Sequence, residues 1–116
     1  MTEQAMRKNE GKAKLSYVLE LGPALEGVSS VLERGAVKYS RGNYHKGFPH
    51  TELVNSLMRH LLAYMGGEDT DPESGNLHVD HISTNALFLS LNVRTHPEYE
   101  DRSEELLRGS SKDTST

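Results

Sequence analysis

Apolar residues recur in this chain at three- and four-residue steps, the spacing of helices that bury one side. Gly22-Pro23 opens the first such stretch, with proline suited to a first helical turn. Leu25, Val28, Leu32, Ala36 and Tyr39 then line one face, while Glu26, Ser30 and Glu33 lie elsewhere. From Ser40 to His50 the chain is rich in glycine and polar groups and reads as a loop. Thr51 is the expected N-cap of a second helix, with Glu52 favourable in its first turn. Its stripe of Leu53, Leu57, Leu61 and Tyr64 is broadened by Val54, Met58, Leu62 and Met65. So wide a stripe requires deep burial or two packing partners. Gly66-Gly67 ends the helix.

A third helix is predicted from about Leu77 to Arg94. At 100° per residue, Ile82, Ala86, Phe88, Leu89 and Val93 share an arc with His78, His81, Asn85 and Asn92. Polar side chains thus sit within the face meant for the core and must find partners there. Leu87 and Leu91 share the far side with Asp80 and Thr84, which suits a helix covered on two sides. His96-Pro97 closes it, and Glu98 to Arg108 forms one further short helix. The pattern holds no strand-like alternation of useful length. The expectation is an all-α, compact bundle of three main helices plus a short C-terminal one. It divides into a flexible polar arm (1–14), a helical domain (15–96) and an acidic, then Ser/Thr-rich tail (97–116).

Composition narrows this picture. At 116 residues and 34% hydrophobic content, one small domain is expected, and its helix faces call for a partner subunit. The expectation is a homo-oligomer, dimer or tetramer. A net charge of −4 disfavours bulk nucleic-acid binding, which needs a basic surface. Without cysteine there is neither a disulfide framework nor a thiolate metal site. With no long apolar run or leader-like segment, a soluble intracellular protein away from membranes is expected.

Candidate chemistry concentrates between His60 and Asn85. The acidic run Glu68-Asp69-Thr70-Asp71-Pro72-Glu73 separates two apolar helices, and clustered like charges need compensation. His78 and His81 stand i, i+3 apart, with Asn85 four residues beyond, so all three can face one point. Imidazole and carboxylate groups so placed suit a metal site; hydrogen bonding to helix ends is the structural alternative. Glu68 and Asp71 form an E-x-x-D pair of the kind that holds Mg²⁺ or Mn²⁺ against phosphates. In an unbroken helix His60 and Glu68 would lie about 12 Å apart along the axis. Only a bend at Gly66-Gly67 lets them approach, so His60 is assigned an indirect role or a phosphate contact. Asp69, Asp71, Glu73 and Asp80 imitate a calcium loop, but Ser74 stands where that loop needs glycine. A basic and aromatic set (Lys12, Lys38, Tyr39, Asn43, Tyr44, Lys46) could meet phosphates and a base, or form an ordinary loop with Tyr44 packed beneath it.

Several segments, in order, carry a resemblance. They are Gly35-Ala36-Val37-Lys38-Tyr39, Asn43-Tyr44-His45-Lys46-Gly47, Arg59-His60, Gly67 to Gly75, His78-Val79-Asp80-His81 and Asn85-Ala86-Leu87-Phe88-Leu89. Together they resemble the phage dATP/dGTP diphosphohydrolase family, relatives of MazG-type all-α nucleoside triphosphate pyrophosphatases. The resemblance spans about Glu10 to Leu91 and implies roles for Lys38, Tyr39, Asn43, Lys46, Arg59, His60, Glu68, Asp71, Glu73, His81 and Asn85. Glu33, Tyr44 and Asp80 depart from its pattern, and the E-x-x-E pair of MazG-type first helices is absent.

The expected activity is Mg²⁺- or Mn²⁺-dependent hydrolysis of purine deoxynucleoside triphosphates to monophosphate and pyrophosphate, in the cytoplasm of an infected bacterium. Glu68, Asp71 and His81 are the expected catalytic groups, and Glu68, Asp71, Glu73, His78 and His81 the expected metal ligands. Lys38, Tyr39, Asn43, Tyr44, Lys46, Arg59, His60 and Asn85 are expected to bind substrate. The alternative is a phage protein that sequesters a nucleotide or nucleotide signal without turnover.

Overall fold

A computed structural model describes residues 3–103. Among them the order is α1 (Ser16–Leu19), α2 (Gly22–Lys38), a 3₁₀ turn at Asn43–Lys46, α3 (His50–Met65), α4 (His78–Thr95) and a 3₁₀ turn at Pro97–Tyr99. The architecture is all-α, and the one β-bridge among these residues joins Thr70 to Leu77 across the acidic loop. The expected C-terminal helix does not begin at Glu98: Pro97–Tyr99 is a 3₁₀ turn and Glu100 and Asp101 are not helical, while residues 104–108 and the tail after them lie outside the described residues. The single turn α1 has no counterpart in the sequence pattern, and its Tyr17, Val18 and Leu19 are exposed.

α4 is the middle helix, packed against α3 on one side and α2 on the other. Two-sided covering is what its mixed pattern predicts, and the buried groups are chiefly polar. Thr84 and Asn92 are 2% and 1% exposed, and Val28 and Leu53 are the fully buried apolar residues among those described. Thr84 satisfies itself on the Asp80 carbonyl one turn back, so its burial leaves no open donor. Asn92 donates to the Phe88 carbonyl (2.8 Å) and accepts from the Phe48 backbone N–H (3.0 Å). The loop before α3 is thereby fastened to α4. Val93 and Ala86, expected in the core arc, are exposed although Asn92 beside Val93 is buried, and Leu87 of the far side is half exposed as well.

Gly27 sets the α2–α4 approach: a Cβ there would fall on the Asp80 carboxylate. The predicted face of α2 holds for Leu25, Val28, Leu32 and Ala36, whereas Tyr39 is exposed. The helix stops at Lys38, and Tyr39 at its C-cap leaves the helical register.

α3 begins one residue before the expected cap. Pro49 takes the N-cap position, and Thr51 lies inside the first turn. Its N–H and hydroxyl both donate to Asp101 (3.0 and 2.6 Å), so a carboxylate 50 residues away satisfies a first-turn donor. At the other end the Glu68 N–H returns to the Ala63 carbonyl and Gly67 adopts φ +97°, the glycine-dependent stop that the Gly-Gly pair predicts. Along α3, Leu53, Leu57 and Leu61 turn inward. The broadening residues Val54, Met58, Leu62 and Met65 are exposed, so the wide stripe is only half used within one chain.

Candidate functional site

The acidic loop is a tight return held by backbone bonds, with the Asp71 carboxylate turned back into it. The Asp71 N–H donates to the Asn76 carbonyl, Gly75 to Asp71, and His78 to Asp69, all within 2.9 Å. This return delivers Glu68 and His78 to the same end of the helix pair α3–α4, where His60 waits one turn before the end of α3. The bend at Gly66-Gly67 therefore does what the helical rise would forbid. Glu68 Oε1 accepts from His78 Nε2 at 2.7 Å, and His78 Nδ1 lies 2.9 Å from His60 Nδ1. His78 is 3% exposed, and its position between the two is enforced by burial.

A second string runs beside the first. The Ser74 hydroxyl donates to Asp71 Oδ2 (2.8 Å), and His81 Nε2 is 2.7 Å from the same hydroxyl. An ionised Asp71 can only accept, so the shared serine proton goes to it and His81 donates through Nε2–H. The Asn76 N–H also donates to Ser74 Oγ (3.1 Å). The two strings meet face to face: the His60 and His81 rings stack at 4.2 Å with 2° between their planes. Asn85 joins α4 to α3 through Ser56 (3.2 Å).

Electrostatics follow from this stacking. Burial, then the neighbouring His81, lowers the His60 pKa below 6.5 against the pull of Asp71. Burial likewise lowers His81, although Asp71 raises it. Both rings are neutral near pH 7 and each can take up a proton. For Asp71, burial raises the pKa, but bonds from Ser74 and the Glu73 N–H, with His81 and His60 nearby, outweigh it and hold the carboxyl below 3.8.

The remaining expected residues do not gather here. Tyr44 stacks on Phe88 at 4.8 Å and touches His45, so it packs beneath its loop, the structural alternative for that set. Lys46 is exposed, and Tyr39 carries the Lys38 amine above its ring at 5.3 Å. Asn43 opens the 3₁₀ turn. Arg59 borders an open groove with Asn55, Met58 and Leu62 on the outer side of α3. Lys38 instead faces the acidic loop, 3.9 Å from the largely exposed Glu73 carboxylate.

The five expected metal ligands divide between partners. Glu68 and His78 bond each other, Asp71 and His81 share Ser74 at 3.5 Å separation, and Glu73 meets Lys38. Among the described residues no three acidic or imidazole groups converge on one point. Both His78 nitrogens are engaged, so ligation there would break an existing bond. Ser74, which ties Asp71 to His81, carried no role in the sequence reading; only its position within the resembling Glu73-Ser74-Gly75 segment marked it.

Residues 2–102 match the family described as dATP/dGTP diphosphohydrolase, N-terminal. The chain belongs to this family. A curated dATP/dGTP diphosphohydrolase of Salmonella phage PMBT28 is 32% identical over 95 residues, which is 81% of this chain and 31% of that protein. The chain therefore spans about a third of the relative's length. No solved structure matches it. Within this diphosphohydrolase family chain, the matched region contains both imidazole strings and the acidic loop. No described helix is long and apolar enough to cross a membrane.

Proposed function

We propose that this chain hydrolyses purine deoxynucleoside triphosphates such as dATP and dGTP to the monophosphate and pyrophosphate. The observation that carries the reading is the string Glu68–His78–His60, a carboxylate orienting one imidazole that orients a second. With His78 donating to Glu68, His60 donates through Nδ1–H, which leaves its Nε2 lone pair free to accept a proton. No other partner engages that nitrogen among the described residues. A base held in one tautomer by a buried neighbour is the arrangement that general-base catalysis needs. His60 would take the proton of a water attacking the α-phosphorus. The bond to the bridging oxygen then breaks, and pyrophosphate leaves. Asp71 and Ser74 hold the His81 ring against His60, fixing its plane.

Magnesium or manganese would enter bound to the triphosphate, where it lowers phosphate charge. The family's name and the phage relative support this substrate class. The proposed work belongs to the cytoplasm of an infected bacterium, a reading that the likeness to a phage protein supports.

We also propose a homo-oligomer. Val54, Met58, Leu62 and Met65 form one exposed apolar row on α3, the last two about three-quarters exposed. Such a contiguous apolar row at three- and four-residue spacing suits the packing of a second helix face. A second copy would cover the half of the α3 stripe that one chain leaves bare.

The test is incubation with dATP or dGTP and magnesium, followed by mass spectrometry and pyrophosphate detection. Turnover is expected, and Glu68→Gln should lower kcat by about 10²-fold or more, the scale of a mispositioned general base. Glu68 is half exposed, so the variant should keep its fold. Full activity in Glu68→Gln would remove the proposed string. Unchanged nucleotide recovered in stoichiometric amount would instead favour sequestration.

A further inference from the structure

Between α2 and the acidic loop lies an open cavity of about 560 Å³, within the range of small-ligand sites. Ser30, Arg34 and Lys38 line it from α2, and Ser74, Gly75 and Asn76 from the loop. Arg34 and Lys38 stand four residues apart, so their cations lie one helical turn from each other on one face. The loop offers both of them only modest partners. One Arg34 amino group donates to the Glu73 backbone carbonyl at 3.1 Å, leaving other donors of its fork unused on that contact. Lys38 reaches the Glu73 carboxylate at 3.9 Å, with the side chains 61% and 84% exposed, a contact that water and salt screen strongly. The Asn76 amide is bonded across the cavity to the Ser30 hydroxyl (2.8 Å), which holds the loop at this distance from α2.

We propose that this cavity is a polyphosphate cradle in which Arg34 and Lys38 clamp the phosphate chain and the Glu73 side chain is displaced by it. A phosphate presents three acceptor oxygens and more charge than a carboxylate, and arginine meets it in a fork. Glu33 also borders the cavity, so Glu33 and Glu73 together balance the two cations. When Glu73 swings away, one net positive charge remains for the ligand. The cradle also touches the imidazole cluster. Ser74 lines the cavity, and its hydroxyl is 2.7 Å from His81, which stacks on His60. Two residues, Ser74 and His81, would separate a phosphate chain in the cradle from the proposed base.

The inference deepens the nucleotide-binding half of the proposed function and does not depend on bond cleavage. Its test is calorimetric titration of the full chain with inorganic tripolyphosphate in EDTA, so that no metal takes part. The wild-type protein is expected to bind. Arg34→Ala and Lys38→Ala should each weaken binding about tenfold, the worth of one charge-assisted bond. Glu73→Gln should tighten it several-fold. Arg94→Ala, on the far end of α4 and engaged with Ser90, should leave it unchanged and controls for general charge. Melting curves check that each variant is folded. No binding by the wild type, or wild-type affinity in both cation variants, overturns the cradle. A KM for dATP left unchanged in those variants would sink the cradle and spare the hydrolase reading, whereas tight tripolyphosphate binding without any turnover would do the reverse.

Discussion

Asn92 offers the cleanest measurement of how this fold holds its polar interior. Its side chain is 1% exposed and makes two bonds, accepting from Phe48 N–H and donating to the Phe88 carbonyl. In Asn92→Leu the side-chain volume changes little, so cavity effects stay small. The Phe88 carbonyl keeps its helical partner, the backbone N–H at position 92. The Phe48 N–H has no such substitute and is left without an acceptor in the interior. An unsatisfied donor of this kind costs about 1–3 kcal/mol. A surface change would stay within about 0.5 kcal/mol. For a small domain with an m-value near 1–2 kcal/mol per molar urea, the midpoint should fall by about 1 M with the slope unchanged. Amide exchange should accelerate at Phe48 and along the 3₁₀ turn at Asn43–Lys46, which that bond fastens to α4. Wild-type stability together with unaltered exchange at Phe48 would refute the argument.

Other consequences are open to direct test. In Gly27→Ala the new methyl group meets the Asp80 carboxylate, which must swing aside; in an Asp80→Ala background the same change should stabilise by about 0.5–1 kcal/mol, the helix-interior gain of alanine over glycine, and an equal effect in both backgrounds would contradict the contact. Stability should fall as pH drops below about 6.5, since the unfolded chain then binds protons that the depressed His60 and His81 refuse until lower pH. Thermal melts across that window should show His81→Gln flattening the slope, and an unchanged slope would speak against the stacked pair. A second loss belongs to Asp71: its depressed carboxyl contributes stability above its ordinary 3.8, lost as pH falls through the folded value. Met58→Asp combined with Leu62→Asp should convert the oligomer to a monomer in light scattering, and the same mass in wild type and variant would remove the α3 interface.

The three long helices were legible because each carries a strong local signal. Pro23 opens α2, the glycine pair ends α3, and apolar residues repeat at helical steps between them. The α3 start lies two residues before the one Thr51 suggests, since Thr51 is a good cap by type but its donors are taken by Asp101. No local rule connects residues 50 positions apart. The arc of α4 correctly marked His78, His81, Asn85 and Asn92 as groups needing partners. It could not say which partners, and those turned out to be Glu68, Ser74, Ser56 and Phe48. Arg34 had a signal that was passed over, its four-residue spacing from Lys38.

By itself the chain determined the three long helices, the opening of α2 and the end of α3, the position of the acidic return and membership of the diphosphohydrolase family, because these depend on periodicity, turn chemistry and ordered motifs. Tertiary structure alone decided that Glu68 reaches His60 through His78, that Tyr44 lies under Phe88, and that the acidic groups divide among separate partners. The physical reason is reach: hydrogen bonds and ring stacking act over a few ångströms, and only the packing of α2, α3 and α4 brings such distant residues within it.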